Sequence, residues 1–238
     1  MIIRLSPQRR EHSLVVARAG SSIVVNGETF DFSPMDDGDT LPLSAIQSEW
    51  LAGDVYKSGG ELTLTLLLPI PWNYSQEQAF PVDLVNVPDG LVMLPRSLPD
   101  ENGNYPDLPE SIEPVAVGII DWSQLVTKSM KDAALAAVTL ASSKSELALR
   151  NNMATVQIAR IQDRVDTLGY GIETGEATEE DEAEQAALLL NLKAWKTYKF
   201  ALGKVTVQPT WYAAPVWPVE PVVPVIVADP QAVAADLI

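Results

Sequence analysis

The sequence contains no cysteine and a single histidine. Without cysteine there can be no disulfide, no thiolate nucleophile and none of the usual zinc ligand sets. A Ser/His/Asp relay or a histidine-based metal site would therefore have to be built on His12. That residue lies in the charged stretch 9–13 between two predicted strands, where an exposed loop histidine is expected. We predict no catalytic residue, no metal site, no cofactor and no enzyme activity.

Basic residues are also scarce, because 16 Lys and Arg stand against 32 Asp and Glu, giving a formal net charge of -16. A surface this negative repels phosphate backbones, so nucleic acid is not an expected partner. The sequence has no run of about 18 apolar residues, and it does not begin with a charged and then apolar leader. We therefore expect no membrane span and no signal peptide, and a chain that is made in the cytoplasm.

Two acidic clusters suggest a metal ion, at residues 36–39 (Asp-Asp-Gly-Asp) and 100–104 (Asp-Glu-Asn-Gly-Asn). Oxygen-rich loops of this kind bind calcium, but the second cluster lacks the glycine at position six and the glutamate at position twelve of an EF-hand loop. Asp, Asn and Gly are also the residues that build tight turns. We predict turns at both places.

Residues 1–70 are predicted to form a small antiparallel β domain, because short apolar and β-branched runs alternate with turn residues. The pair Asn26-Gly27 predicts a type I′ hairpin, since that turn requires positive φ at both central residues. The strand that follows alternates in polarity. Phe30 and Phe32 on it are expected to face the core.

The rest of this N-terminal part gives weaker signals. Ser44 is expected to cap a short helix that ends at Leu51, and Gly59-Gly60 predicts a turn before an alternating strand. Prolines recur throughout residues 71–121, which excludes a long helix and restricts strands to short or edge pieces. We predict an irregular, proline-rich middle segment.

Within residues 122–204 the apolar residues follow a helical period. A first helix is expected from 125 to 168. Its apolar stripe consists of Met130, Ala133, Ala137, Leu140, Leu147, Ala154, Ile158, Ile161, Val165 and Leu168. Lys144 and Asn151 interrupt the stripe, and a polar residue at such a position can set the register or the oligomeric state.

A second, shorter helix is expected after Thr178, a suitable N-cap before acidic first-turn residues. Its apolar face consists of Leu188, Leu192, Trp195, Tyr198 and Leu202. Gly203 is expected to end it at C′ with left-handed backbone. The difference in length leaves the small Ala133, Ala137 and Ala141 of the first helix without a partner. Either the two helices simply cover each other, or a copy of the chain or another protein completes them.

Residues 205–238 are rich in proline and valine and are predicted to form an extended tail of the polyproline II type, commonly a spacer or a recognition strand. Trp211 and Trp217 in the tail, together with Trp195 and Tyr198, are the predicted partner-binding residues. Docking of the tail on the chain's own helices is equally compatible. For Trp195 and Tyr198, which lie on a helical stripe, a core role is the commoner one.

These patterns predict an α+β protein. The expected order is a small antiparallel β N-terminal domain (1–70), a Pro-rich irregular middle (71–121), a long α-helical hairpin (122–204) and an extended Pro-rich C-terminal tail (205–238). A chain of 238 residues is long enough for one large or two small domains with real cores.

Part of the chain resembles a known family. The pattern is carried by Ile-Gln-Asp-Arg-Val-Asp at 161–166, Gly-Glu-Ala-Thr-Glu-Glu at 175–180, Leu-Lys-Ala-Trp-Lys-Thr-Tyr-Lys at 192–199 and Trp-Pro-Val-Glu-Pro at 217–221. Over residues 158–221 the chain resembles bacteriophage tail-fibre assembly proteins.

The resemblance implies a non-enzymatic helper that binds a tail fibre or receptor-binding protein and assists its folding, trimerisation or attachment. Fibre tips are β-rich trimers whose strand edges are unpaired before they close, which makes them prone to aggregate. Such a helper would act in the host cytoplasm during assembly, and a homo-oligomer is compatible with the helical stripe.

Two other functions remain open. The chain could be a permanent component of the tail or baseplate that clamps the receptor-binding protein in the virion, in which case baseplate proteins are also partners. A carboxylate-based hydrolase acting on cell-wall sugar would need two suitably spaced acidic residues. No feature of the sequence marks such a pair.

Overall fold

The chain is an α+β protein, as predicted, and it divides into two compact units. We call Met1–Ala133 the β unit and Ala134–Ile238 the helical unit. The computed structural model describes residues 1–10, 12–99, 103–104 and 112–226. The division predicted at residues 70, 121 and 204 stays a prediction.

The β unit is built from short strands and tight connections. Its strands are β1 (Ile2–Arg9), β2 (Val16–Ala19), β3 (Ser22–Val25), β4 (Glu28–Asp31), β5 (Thr40–Leu41), β6 (Ile46–Gln47), β7 (Val55–Ser58), β8 (Glu61–Ile70), β9 (Gly90–Leu91), β10 (Ala116–Val117) and β11 (Ile119–Ile120). The short helix α1 (Gln76–Ala79) and 3-10 turns at Leu43–Ala45 and Trp122–Gln124 connect them.

The strands form two mixed sheets and a small pair. The first sheet has the order β1-β8-β7-β5, the second β10-β4-β3-β2-β9, and β11 pairs with β6. β1 and β8 run parallel along the whole of β1, from Ile2 opposite Thr63 to Arg9 opposite Ile70, and β10 is parallel to β4. The prediction of a purely antiparallel domain is therefore wrong. Alternating polarity shows which face of a strand is buried but not the direction of its neighbour.

The predicted turns have the expected backbone. Asn26 and Gly27 both have positive φ, 48° and 89°, and connect β3 to β4 in a two-residue loop. Gly59 and Gly60, with φ of 60° and 78°, do the same between β7 and β8. The hairpin predicted at Asn26-Gly27 and the turn predicted at Gly59-Gly60 are both confirmed, because positive φ at two successive positions is most easily supplied by Gly and Asn.

The helix predicted from Ser44 to Leu51 is absent. Leu43–Ala45 forms only a 3-10 turn, and the chain then enters β6, where Ile46 is buried and pairs with Ile120. The prediction is wrong because burial of Ile46 and pairing with a strand distant in sequence override a weak local preference.

The core of the β unit includes residues from the predicted β domain and from the proline-rich segment that follows it. Phe30 and Phe32 are fully buried, as predicted, and Val87 and Val92 belong to the same cluster. The chain passes the Phe30 ring at Gly118, where an added Cβ would lie 2.2 Å from a ring carbon. The proline-rich segment therefore helps to close this core.

The helical unit is dominated by a hairpin. Its elements are α2 (Lys128–Thr174), which begins inside the β unit, α3 (Glu179–Leu202) and a 3-10 turn at Val205–Val207. Residues 208–226 follow as turns and extended chain, and residues 227–238 of the predicted tail lie outside the described part. Among the described helices, none combines the length and the apolarity that crossing a membrane requires.

Candidate partner-binding surface

The helical hairpin is held together by two facing apolar stripes. The buried residues of α2 are Ser143, Ala154, Ile161, Val165 and Leu168. Those of α3 are Leu188, Leu192, Trp195, Tyr198 and Leu202. Apart from Ser143, all belong to the stripes predicted from their spacing. The helical period thus identified the inner face of the hairpin correctly.

A polar pair joins the two helices near their connection. Arg164 Nε donates to Glu184 Oε1 at 3.1 Å, and Nη2 donates to Oε2 at 2.7 Å. The side chains are 18% and 20% exposed, so most of each is shielded from water. The hydrogen bond to Glu184 raises the pKa of Arg164 above its usual value. This two-pronged contact fixes the angle and register of the helices.

The N-terminus of α3 has the predicted cap. Asp181 N–H donates to Thr178 Oγ1 at 3.2 Å, and Thr178 N–H donates to Asp181 Oδ2 at 2.9 Å. The hydrogen bond from the Thr178 backbone N–H lowers the pKa of Asp181 below its ordinary value of 3.8, and the hydrogen bond from the Thr178 hydroxyl adds a smaller effect in the same direction. The reciprocal bonds satisfy two donors that the helix leaves unpaired.

The end of α3 differs from the prediction. Gly203 has φ -63° and ψ -15°, which is right-handed backbone, and the chain continues directly into the next 3-10 turn. The prediction that Gly203 has left-handed backbone is therefore wrong. Gly175, with φ 75°, supplies that conformation at the end of α2, where the chain must reverse toward α3.

The first part of α2 within the helical unit is exposed on most sides. We call residues 134–142 the open segment. Leu135 and Val138 are 68% and 67% exposed, and Ala137 and Ala141 are exposed beside them. α2 has 47 residues and α3 only 24, and these four side chains of α2 are open to solvent. The expectation that the first helix extends beyond its partner is confirmed.

The four predicted partner-binding aromatics lie together, but they face inward. Trp195 is fully buried and Tyr198 nearly so, with their rings edge to face at 5.7 Å. Trp211 and Trp217 are half-buried and pack against the same core. Trp195 and Tyr198 are thus core residues here, the commoner role for their position. Partner binding by any of the four stays a prediction.

The tail folds back on its own helices. Ser143 Oγ donates to the carbonyl of Tyr212 at 2.9 Å, at a turn where Tyr212 has φ 54°. Further along, the guanidinium of Arg150 lies 5.1 Å from the centre of the Trp217 ring. Ile226, at the end of the described chain, is buried in the same cluster. The tail was predicted to dock either on a partner or on the chain's own helices. In the described residues it docks on the chain's own helices.

Sequence reasoning missed the side chains that hold the tail, namely Ser143, Arg150 and Arg160. Each is one of many polar residues on the long helix α2. Nothing in the sequence therefore distinguished it as a contact for the tail. A signal did exist in the tail itself. Residues 215–226 consist of four successive triplets that begin with Pro-Val, and a three-residue period is typical of polyproline II.

The residues considered for metal binding have structural roles. Asp39 Oδ2 accepts a hydrogen bond from Asp36 N–H at 2.9 Å, and its Oδ1 accepts one from Lys128 N–H at 3.0 Å. Asp37 accepts from Gly60 N–H at 2.8 Å. Within the described residues no cluster of His, Cys, Asp or Glu could hold a metal ion. Residues 100–102 of the second acidic cluster lie outside them.

His12 is exposed, as its charged surroundings predicted. Comparison of the chain with family models, with curated proteins and with solved structures found no match. The geometry of the helical unit and the residue pattern at 158–221 are therefore the observations from which a function can be argued.

Proposed function

We propose that this chain is a non-enzymatic bacteriophage tail protein that binds a tail fibre or receptor-binding protein and assists its folding, trimerisation or attachment. The support from sequence is the resemblance of residues 158–221 to tail-fibre assembly proteins. The support from structure, and the observation that carries the proposal, is the exposed apolar surface of the open segment.

The open segment has the properties of a binding helix. Leu135 and Val138 project from it, while Ala137 and Ala141 allow a partner's backbone to approach closely. An isolated helical stretch gains little from propensity alone, and most helical stability in proteins comes from packing of an apolar face. A partner that covered Leu135 and Val138 would supply that packing through the helix-in-groove mode.

The charge of the chain suits the same role. With a net charge of -16, a complex between this protein and an unfinished β-rich fibre would stay soluble while the fibre's strand edges are unpaired. In this proposal the protein acts in the host cytoplasm, before the fibre joins the particle.

A permanent place in the tail or baseplate is the second candidate. It is favoured by the presence of two compact units with separate cores. One unit could attach to the baseplate while the other holds the receptor-binding protein. Mass spectrometry of purified particles distinguishes the candidates, because a transient assembly factor is nearly absent from virions and a structural component is present in fixed ratio.

Coexpression with the fibre proteins of the same genome tests the proposal directly. We expect soluble, trimeric fibre only when this chain is present. The double variant Leu135→Glu/Val138→Glu should abolish the effect, because it places charge on the open segment. The matched control is Leu149→Glu/Val156→Glu, which changes exposed apolar residues elsewhere on α2 and should keep full activity.

Equal yield of trimeric fibre with and without this chain would refute the assembly role. Equal activity of the open-segment and control variants would show that the open segment is not the contact. Truncation before Thr178 removes α3 and the tail, and we expect it to abolish the effect as well.

A further inference from the structure

The described end of the tail has a strict three-residue repeat. Residues 215–226 read Pro-Val-Trp, Pro-Val-Glu, Pro-Val-Val and Pro-Val-Ile. A polyproline II helix makes one turn in three residues. Each of the three positions of the triplet must therefore form its own row along such a strand.

Burial follows the same period. The prolines at 215, 218, 221 and 224 are all half-buried. The valines that follow them, Val216, Val219, Val222 and Val225, are 68%, 91%, 82% and 89% exposed. Along the third row, Trp217 is half-buried and Ile226 is buried, whereas Glu220 and Val223 between them are exposed. The strand thus turns its proline row toward the helices and its first valine row toward solvent.

The helices present donors to the carbonyls of this strand. Trp195 Nε1–H donates to the carbonyl of Val222 at 3.3 Å. Arg160 Nη1 and Nη2 donate to the carbonyl of Pro224 at 3.3 and 3.2 Å. Beside them, Arg150 lies over the Trp217 ring and its Nη1 donates to the Tyr198 hydroxyl at 3.5 Å. Aromatic surfaces combined with donors to proline-strand carbonyls are how proteins recognise polyproline II.

The strand is held in a way that permits exchange. Proline has no N–H, and among the described residues no backbone-to-backbone hydrogen bond joins 215–226 to α2 or α3. The helices contact the strand through side chains that meet its carbonyls or the Trp217 ring. Gln208, which precedes the strand, exchanges two hydrogen bonds of 2.8 Å with the Val216 backbone. A second strand with the same repeat could make the same contacts.

We propose that the groove between α2 and α3 is a binding site for a polyproline II strand of Pro-Val-x triplets, and that residues 215–226 occupy it in cis as an exchangeable strap. A matching strand presented in trans displaces the strap and takes over its contacts with Trp195, Arg160 and Arg150. This does not depend on a role in fibre assembly, because site and ligand both belong to this chain.

The probe is a labelled synthetic peptide with the sequence of residues 213–226, titrated into three full-length chains. In the first variant Pro218, Pro221 and Pro224 are replaced by Ala, which weakens the chain's own strap. In the matched variant Val219, Val222 and Val225 are replaced by Ala, which changes only the exposed row. The third chain is unaltered.

We expect the peptide to bind the proline variant at least about tenfold more tightly than the other two chains, because a tethered strap competes at millimolar effective concentration. A peptide with the three prolines changed to Ala should not bind, whereas one with the three valines changed should bind as well as the original. Replacing Trp195 by Phe in the proline variant should weaken binding by about 2- to 10-fold, through loss of one hydrogen bond.

Equal affinity for all three chains, or no binding to any of them, overturns the proposal. If the proline variant has lost helical circular dichroism, recovery on adding the original peptide, and not the alanine peptide, supports the site. Failure to recover overturns it. A tail fibre that still requires this chain for folding would leave the assembly proposal intact in either case.

Discussion

The β unit and the helical unit bury their apolar residues in different ways. In the β unit, strands far apart in sequence pair with one another, and Phe30, Phe32 and Leu64 are fully enclosed. In the helical unit, two helices that are neighbours in sequence bury one stripe each, a tail completes the cover, and the open segment stays exposed. Local periodicity is therefore enough to build a helix, but it does not guarantee a partner for its whole apolar surface.

The largest effect we expect comes from the core of the β unit. Phe30→Ala should lower the stability of that unit by about 3–5 kcal/mol, because it leaves a cavity beside Gly118, where the chain passes the Phe30 ring. Hydrogen exchange should show faster opening of the β unit and unchanged protection in α3. Phe80→Ala, at a side chain 78% exposed, is the control and should change stability by less than about 0.5 kcal/mol. Loss of protection in both units together would contradict the view that each unit is stabilised by its own core.

A smaller effect is expected at the polar pair between the helices. Glu184→Gln should lower the stability of the helical unit by about 1–3 kcal/mol, since it leaves Arg164 largely shielded with a weakened partner. Thermal unfolding followed by far-ultraviolet circular dichroism measures it. Asp132→Asn removes an i,i+4 pair whose side chains are both 63% exposed, and should change stability by less than about 0.5 kcal/mol. Equal losses in the two variants would show that shielding is unimportant here.

The N-cap of α3 should contribute less. Thr178→Ala should cost about 1 kcal/mol, because it removes the acceptor for the Asp181 N–H. Hydrogen exchange in the first turn of α3 reports the loss, and Thr178→Ser should restore protection there.

The same cap gives the helical unit a dependence on pH. Asp181 has its pKa lowered in the folded chain, so its contribution is complete above the ordinary value of 3.8 and is lost as the pH falls through the lower, folded value. Hydrogen exchange in the first turn of α3, followed as the pH is lowered, should show this loss in the unaltered chain. Asp181→Asn should have lost this pH dependence, and a persistent transition would assign it to another group.

The smallest effect on stability is expected in the open segment. Leu135→Lys/Val138→Lys should change the free energy of unfolding by less than about 0.5 kcal/mol, because neither side chain is buried. A stability loss comparable to that of Phe30→Ala would mean that this surface is covered within the free chain. That result would remove the contrast between the two units.

Features set by a few neighbouring residues were predictable from the sequence. The Asn26-Gly27 hairpin requires a backbone conformation that these two residues favour, and the Thr178 cap follows from an acceptor placed before acidic residues. The buried stripe of the hairpin followed from its spacing in the same way. In each case the physical cause acts over one or two turns of chain.

Features set by distant residues were not predictable by the same reasoning. The parallel partner of β1 depends on which strand reaches the sheet edge beside it, and alternating polarity says nothing about direction. Ile46 enters a strand because Ile120 lies across from it. The inward position of Trp195 follows in part from a tail that lies over it, whose repeat the sequence contains but whose docking also needs Arg150 and Arg160.

The pairing of β1 with β8 has a consequence for synthesis. Ile2 leaves the ribosome before its partner Thr63, which follows only after the intervening hairpins have emerged. At about 5–20 residues per second, the first strand waits roughly 3–12 s with an unpaired edge. The two helices of the hairpin follow each other directly and need no such delay. A nascent chain of this protein is therefore open to aggregation through the edge of β1 until β8 arrives.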